Sequence, residues 1–428
     1  MDRPLFSAET FRRRRQHILK TIPEDSVAFV VSADELPRNG DQAFPYRQSS
    51  DLFYLTGISQ EQTILALCPA HPKDKFTEVL FLRRSSKDLE KWEGHKLTKE
   101  EAARISGIDV KNIYWFDEFE NYLPELMYYA NNVYIATNGN MKYLRFYNDA
   151  DYRFIERLRF LYPLHNYRRL SPILVDMRLR KDSEELLMIK YAIELTAKAF
   201  DRVLKFVRPG VYEYEVEAEI MHEFIRHGVR TVAYESIIAS GANACVLHYI
   251  DNNGVCKDGD LLLMDFGAEY NNYAADLTRT IPVNGKFSQR QLDVYQAVLD
   301  VQRQMISEYI KPGVTINELN DKSRELIAEK LVDLDLIKPE EKQDESKVKE
   351  YYPHGLSHFM GLDVHDVGTK DTELEPGMVI TVEPGIYIDQ EGLGIRLEND
   401  VLITAEGCED LMKDIPLDPR DIEGRIGK

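Results

Sequence analysis

Short runs of Val, Ile, Leu, Phe and Ala punctuate the first third of the chain. Residues 26–31, 63–67, 78–82 and 133–136 are apolar along nearly their whole length, the signature of buried strands. Polar stretches with helical spacing, such as 98–106, lie between them. The alternation predicts a self-contained α/β domain. A break follows at Ser171-Pro172, so the first domain is placed at 1–172 and the second at 173–428. Beyond it the period lengthens. Asp182 opens a long helix; Glu185, three residues on, can complete a capping box. Leu186, Ile189, Ala192, Leu195 and Phe200 keep helical spacing on one face. Further amphipathic helices are expected over 213–227, 288–310 and 316–331. Strands are expected over 260–268, 273–283, 378–383 and 394–403. The stretch 338–349 is dense in Lys, Glu, Asp and Gln and reads as a solvated excursion.

Two of these strand pairs carry acids where apolar residues belong. In 261–276 two apolar strands flank the turn-like Tyr270-Asn271-Asn272. A turn centred between 270 and 271 sets Asp265 opposite Asp276, with Cβ atoms about 5 Å apart. In 378–398 the turn residues Asp389, Gln390, Glu391 and Gly392 lie midway between Glu383 and Glu398, so antiparallel pairing again faces two acids. Arg396 and Glu398, two apart, share a strand face. The segment 354–366 adds His354, His358 and His365, three of the ten histidines. His248 stands apart, in 241–249. Any one of these has an ordinary explanation: a buried Asp pairs with Arg or caps a turn, and a loop His hydrogen-bonds. Four acids in two apolar hairpins are different. Uncompensated, they are costly. Four carboxylates carry a charge that two divalent ions match, which points to a dinuclear, oxygen-preferring metal site.

Composition narrows the partners. The 428 residues are 43% hydrophobic and 30% charged, as in a folded globular chain. Asp+Glu (73) exceeds Lys+Arg (54), a formal charge of −19. That balance argues against nucleic acid as the main partner. No apolar run reaches the roughly 20 residues that span a bilayer, so no membrane partner is expected. The basic run 12–15 is not followed by an apolar signal core. Four cysteines without CxxC spacing suit reduced thiols, and a cytoplasmic location is expected.

With these residues in place, the chain is seen to resemble the pita-bread metallopeptidases, most closely their aminopeptidase P (Xaa-Pro aminopeptidase) branch. The matching stretches are 241–249, 265–280, 354–368, 381–387 and 394–398. The segment 48–57 also looks like the opening domain of that branch. The resemblance implies an α/β, creatinase-like N-terminal domain. It also implies a pita-bread catalytic domain of α+β type, with a curved antiparallel sheet covered by helices. It implies metal ligation by Asp265, Asp276, His358, Glu383 and Glu398. Asp276 and Glu398 would bridge two ions, with Asp265 on one and His358 and Glu383 on the other. The ions would be Mn²⁺, with Zn²⁺ or Co²⁺ as alternatives. Glu383 would shuttle the proton, and His248 would hold the developing oxyanion. His365 and His354 would contact the proline side of the substrate. Arg396 would sit beside the metals as a partner of a ligand carboxylate, in the substrate-binding group. Asp363 is assigned only a structural role.

The implied reaction is removal of the N-terminal residue from peptides with proline second. Prolidase, restricted to Xaa-Pro dipeptides, is the enzymatic alternative, and a pita-bread binding module without activity is the other. A homo-oligomer, dimer or tetramer, is also implied, and Trp92 resembles a tryptophan that reaches a neighbouring subunit's site.

Overall fold

The computed structural model describes residues 3–140 and 149–427. The chain forms two compact units, Leu5–Met177 and Arg178–Lys428, the second joined by the N-terminal residues up to Pro4.

The first unit is built on a six-stranded mixed sheet. Its strands run, in spatial order, Ile113–Trp115, Glu78–Leu82, Ile64–Leu67, Ser26–Val31, Asn132–Ile135 and Asn166–Arg169. Ser26–Val31 lies antiparallel to Ile64–Leu67 and parallel to Asn132–Ile135. Every residue of this central strand is buried, as its unbroken apolar run requires. Alternate residues Val27, Phe29 and Val31 pack with Phe81, Phe119, Leu123 and Leu158 on one face.

The basic run lies inside the helix Ala8–Thr21, with Arg14 and Arg15 buried. Arg14 Nη1 donates to Tyr54 O at 3.0 Å, and Arg15 Nη1 to Leu55 O at 2.9 Å and Ser106 O at 2.8 Å. These carbonyls end the helices Ser50–Thr56 and Lys99–Ser106. Cations at helix C-termini satisfy carbonyls that lack intrahelical donors and meet the negative end of each dipole. The run is structural.

In the second unit the capping box forms as expected: Asp182 and Glu185 open the helix Ser183–Phe206. It is followed by the helices Glu213–Arg226, Gln289–Gln304 and Ile316–Asp333. After Gln304 the chain continues as a π-helical turn, Met305–Tyr309, so the expected helix 288–310 is α-helical only in part. The stretch 338–349 is less loop-like than its composition suggests. It holds a 3₁₀ turn, Pro339–Glu341, and the helix Glu345–Lys349, which buries Val348.

All ladders of this unit are antiparallel. Leu261–Phe266 is the middle strand between Ile237–Ser240 and Leu277–Pro282. Asn399–Ile403 is the middle strand between Val379–Val382 and Cys408–Asp410.

The register of the first acidic hairpin differs from expectation. Tyr270 pairs with Tyr273, and Asn271 and Asn272 form a two-residue turn with φ of 47° and 64°. Such a turn needs left-handed backbone at both positions, which Asn tolerates. The turn centre moves one residue along. Asp265 therefore pairs with Thr278, not with Asp276. Nor is 273–283 one strand, because pairing lapses at Ala275-Asp276 between Tyr273–Ala274 and Leu277–Pro282. Gly267 allows the lapse: a Cβ there would lie 1.7 Å from the Ala275 carbonyl oxygen.

Both tryptophans, Trp92 and Trp115, belong to the first unit, so intrinsic fluorescence reports its unfolding. Arg15→Met should destabilise that unit by roughly 3 kcal/mol, the scale for removing one partner of a buried charged network. Denaturant titration followed by tryptophan emission checks this. An unchanged midpoint would remove the helix-end role of Arg15.

Candidate metal centre

Asp276, Glu383 and Glu398 sit where a hairpin ladder is interrupted, whereas Asp265 stays within the ladder of Leu261–Phe266. Asp276 lies in the lapse just described, and its amide donates to Asp400 Oδ2 at 3.1 Å instead of across the hairpin. Val382 pairs with Asn399, and Gly385 with Arg396, so the second hairpin keeps one register across a gap. Glu383 and Glu398 face each other in that gap, the register the sequence implied. Their amides are used elsewhere: Glu383 N donates to Leu356 O at 2.8 Å and Glu398 N to Thr278 O at 3.1 Å.

Although not paired in the ladder, Asp265 and Asp276 share a face. The Tyr234 hydroxyl joins them, 2.6 Å from Asp265 Oδ1 and 2.5 Å from Asp276 Oδ1. His358 is sewn to Thr381 by its backbone, and its Nδ1 lies 3.1 Å from Phe359 O. A carbonyl only accepts, so Nδ1 carries the proton and Nε2 presents a lone pair. Nε2 stands 3.4 Å from Asp276 Oδ2 and 3.9 Å from Glu383 Oε1. Ligand atoms of Asp276, His358 and Glu398 lie within 4.8 Å of one another. Asp265 and Glu383 flank this trio, tied to it through Tyr234 and beside His358. The five residues singled out in the sequence come together.

Arg396 supplies the nearest fixed cation. Its Nη2 meets Asp265 Oδ2 at 2.7 Å, its Nε meets Thr278 Oγ1 at 3.2 Å, and its Nη1 meets Tyr387 OH at 2.9 Å. Thr278 in turn donates to Glu398 Oε2 at 2.6 Å. One guanidinium does not neutralise four acids. Burial pushes Glu383 up to about 7, with His358 and Arg396 opposing and Asp276 and Asp265 adding to the rise. Burial and the neighbouring acids push Glu398 well above the ordinary carboxyl range. Burial also raises Asp265, against Arg396. For His358, burial works against the charge, but Asp276 and Glu383 outweigh it and raise the imidazole. A crowded, half-neutralised set of oxygens with one imidazole nitrogen fits divalent metal ions.

The other histidines divide. His354 is engaged at both nitrogens: Nδ1 at 2.8 Å from Gly355 O and Nε2 at 2.8 Å from Tyr387 OH. Burial and Arg396 push it down to about 3, so it is neutral. His365 is exposed, its ring 4.3 Å from that of His358 at 85°. His248 is exposed on the loop after the 3₁₀ segment Gly241–Cys245. Asp363 binds Arg178 Nη2 at 2.8 Å, next to the Arg178–Asp366 pair, within the scaffold.

Sequence reading missed Tyr234, Thr278, Tyr387 and Asp400. Thr278 was findable: it stands two residues from Asp276, hence on the same face. Asp400 was findable on the same ground, two residues from Glu398, and Tyr387 lies in the second hairpin; only Tyr234 comes from a separate segment that no spacing marks.

A buried one-imidazole, four-carboxylate site on paired antiparallel hairpins defines a metallopeptidase. Residues 188–405 match the model of metallopeptidase family M24, and residues 11–135 match that of the aminopeptidase P N-terminal domain. The chain belongs to metallopeptidase family M24, in its aminopeptidase P branch. It is 37% identical to the Xaa-Pro aminopeptidase of Escherichia coli K12, covering 97% of each chain. The solved structure of E. coli aminopeptidase P with the inhibitor Pro-Leu matches with a TM-score of 0.88 and 36% identity over 98% of both chains. A Zn-substituted E. coli aminopeptidase P in complex with product gives the same TM-score of 0.88, at 36% identity and 98% coverage of each chain. The second unit thus has the expected pita-bread architecture, and the first the expected N-terminal domain.

Thr278→Val should weaken divalent-metal affinity by roughly 10- to 100-fold while leaving the fold intact, because Glu398 loses its orienting hydroxyl. Thr278→Ser should restore it. Metal titration with a competing chelator measures both; parental affinity in the Val variant would remove that role.

Proposed function

We propose that this chain hydrolyses the first peptide bond of peptides whose second residue is proline, with two divalent metal ions as cofactor. The observation that carries the reading is the convergence of Asp265, Asp276, His358, Glu383 and Glu398 on one buried site in a chain of the aminopeptidase P branch. Asp265, Asp276, His358, Glu383 and Glu398 would hold the ions. When bound, the ions supply water activation at neutral pH and positive charge for a developing oxyanion. Manganese is the proposed metal, because four of five donors are hard oxygens; zinc and cobalt also suit such a set.

The protein's own groups do the rest. Glu383 accepts a proton at its carboxylate from the attacking water and returns it to the proline nitrogen, which carries none in the peptide. His248 donates a hydrogen bond to the scissile carbonyl oxygen as charge develops there. Exposed His365, beside His358, contacts the proline side. His354, with both nitrogens engaged, contributes by fixing Tyr387 and thereby Arg396. Arg396 pairs with Asp265 and orients it on the substrate-binding side.

Three further assignments belong to this proposal. The chain assembles as a homodimer or homotetramer, with Trp92 available for contact because its indole is exposed. Its four free cysteines suit a reducing, cytoplasmic setting. Among the described residues no helix is long and apolar enough to cross a membrane.

Chelator-stripped enzyme reloaded with Mn²⁺, Zn²⁺ or Co²⁺ and assayed on Xaa-Pro and Xaa-Pro-Xaa peptides tests the reading. Cleavage of the longer peptides is expected, greatest with Mn²⁺. Activity confined to dipeptides would make the enzyme a prolidase, and none with any metal would leave a binding module. Glu383→Ala should lower kcat by roughly 10²- to 10⁴-fold with the fold kept; near-parental turnover would overturn the shuttle.

A further inference from the structure

Glu213 lies outside every motif noted in the sequence, yet it is the most fully satisfied buried acid in the second unit's hydrogen-bond pattern. It is the first residue of the helix Glu213–Arg226 and has no exposed surface. Its Oε1 accepts from Ser240 N at 2.7 Å, Ser240 Oγ at 2.7 Å and Asn243 Nδ2 at 2.9 Å. Its Oε2 accepts from Tyr249 OH at 2.8 Å and Gly254 N at 2.7 Å. Its own amide donates to Gly254 O at 3.0 Å. Burial works to raise this carboxyl, but the bonds from Asn243, Ser240 and Tyr249 outweigh it and hold it below the usual value. Gly254 has no room for a side chain: a Cβ would come within 2.8 Å of Asn243 Nδ2 and 2.9 Å of Glu213 Oε1.

Those donors are spaced along one stretch of chain, 240–254, and they bracket His248. Ser240 and Asn243 precede it, Tyr249 follows it directly, and Gly254 closes the loop. The His248 ring itself has no hydrogen bond among the described residues, so its place depends on the backbone that carries it. On its other side the same loop is pressed against the strand Leu393–Arg396, where a Cβ on Gly394 would lie 2.3 Å from Ala244 O. A single buried carboxylate thus gathers both ends of the loop while Gly394 sets its depth against the Arg396 strand.

We propose that Glu213 is a positioning residue for the reaction, holding the 240–254 loop so that the His248 imidazole is presented to the scissile carbonyl. This rests on the assignment of His248 under the proposed function. Glu213 touches neither substrate nor metal; it acts through Ser240, Asn243, Tyr249 and Gly254. Asn252 ties the far end of the loop to Ser236, Ile238 and Glu217, but the five donors flanking His248 converge on the Glu213 carboxylate alone.

Metal-loaded Glu213→Gln, His248→Ala and the double variant, assayed on an Xaa-Pro-Xaa peptide with kcat and KM separated, test the proposal. Wherever the Gln amide nitrogen points, it meets at least two of the donors. Glu213→Gln should lower kcat by roughly 10- to 100-fold, the scale for a misplaced catalytic group, with metal stoichiometry unchanged. Amide exchange should rise across 241–254 and not elsewhere. The double variant should be no slower than His248→Ala alone, because both remove one function.

A double variant whose losses multiply would overturn the proposal while leaving His248 catalytic. Parental kcat in His248→Ala would instead remove the His248 assignment, and this inference with it. Should Glu213→Gln fail to fold, Tyr249→Phe removes one donor and keeps the ring. It should lower kcat severalfold and be non-additive with His248→Ala; parental kcat, or multiplying losses, would overturn the proposal.

Discussion

A carboxylate taken out of water loses its hydration, and a second carboxylate beside it adds repulsion. Asp265, Asp276, Glu383 and Glu398 meet both penalties at once. Arg396 returns one positive charge, and the hydroxyls of Tyr234 and Thr278 return hydrogen bonds. That compensation is partial, and the carboxyls left above their ordinary range show where the deficit falls. The deficit is the site's chemistry, because a residual negative charge on preset oxygens is what a divalent cation needs. More internal cations would steady the empty fold and weaken its hold on metal.

The backbone handles the same problem by one device used twice. In a continuous hairpin the amides of the acid-bearing residues would be spent across the ladder. Here the ladders lapse at Asp276, Glu383 and Glu398, and two of the freed amides stitch the hairpins to each other. Asp276 donates to Asp400 of the second hairpin, and Glu398 donates to Thr278 of the first. The acids of two sequence-distant hairpins are thereby held together. The arrangement also explains why Asp400 is fully buried: its Oδ2 is the acceptor for Asp276.

How much of this could be read from the chain varies with the range of the interaction. The Asp182–Glu185 capping box and the central strand 26–31 were legible, because local propensity and pattern decide them. So was the facing of Glu383 and Glu398, since Gly392 and the acids before it mark the turn. The first hairpin was misread by one residue at its centre. Asn271 and Asn272 both accept left-handed backbone, and Gly267 lets the Ala275 carbonyl come close enough to end the pairing. Asp265 and Asp276 still converge, through Tyr234 from a third segment. The Arg12–Arg15 run looked like a targeting feature to be excluded. The partners of its buried Arg15 are carbonyls some 40 and 91 positions away and the Glu78 carboxylate 63 away, which no local pattern reveals. Tyr234 was invisible for the same reason.

The histidines show how one residue type is divided by its surroundings. His354 has both nitrogens occupied and is held neutral by burial and Arg396, and it orients Tyr387. His358 has one nitrogen fixed by a backbone carbonyl and the other turned toward Asp276, the disposition a metal-ligating imidazole needs. His365 and His248 are exposed, and imidazoles left open to solvent can rebind a substrate group in place of water. Exposure alone would leave them mobile. Edge-to-face contact with His358 restrains His365 directly, whereas among the described residues His248 has no ring contact of that kind and relies on its loop. That difference is why a fully buried acid one helix away bears on a side chain at the surface.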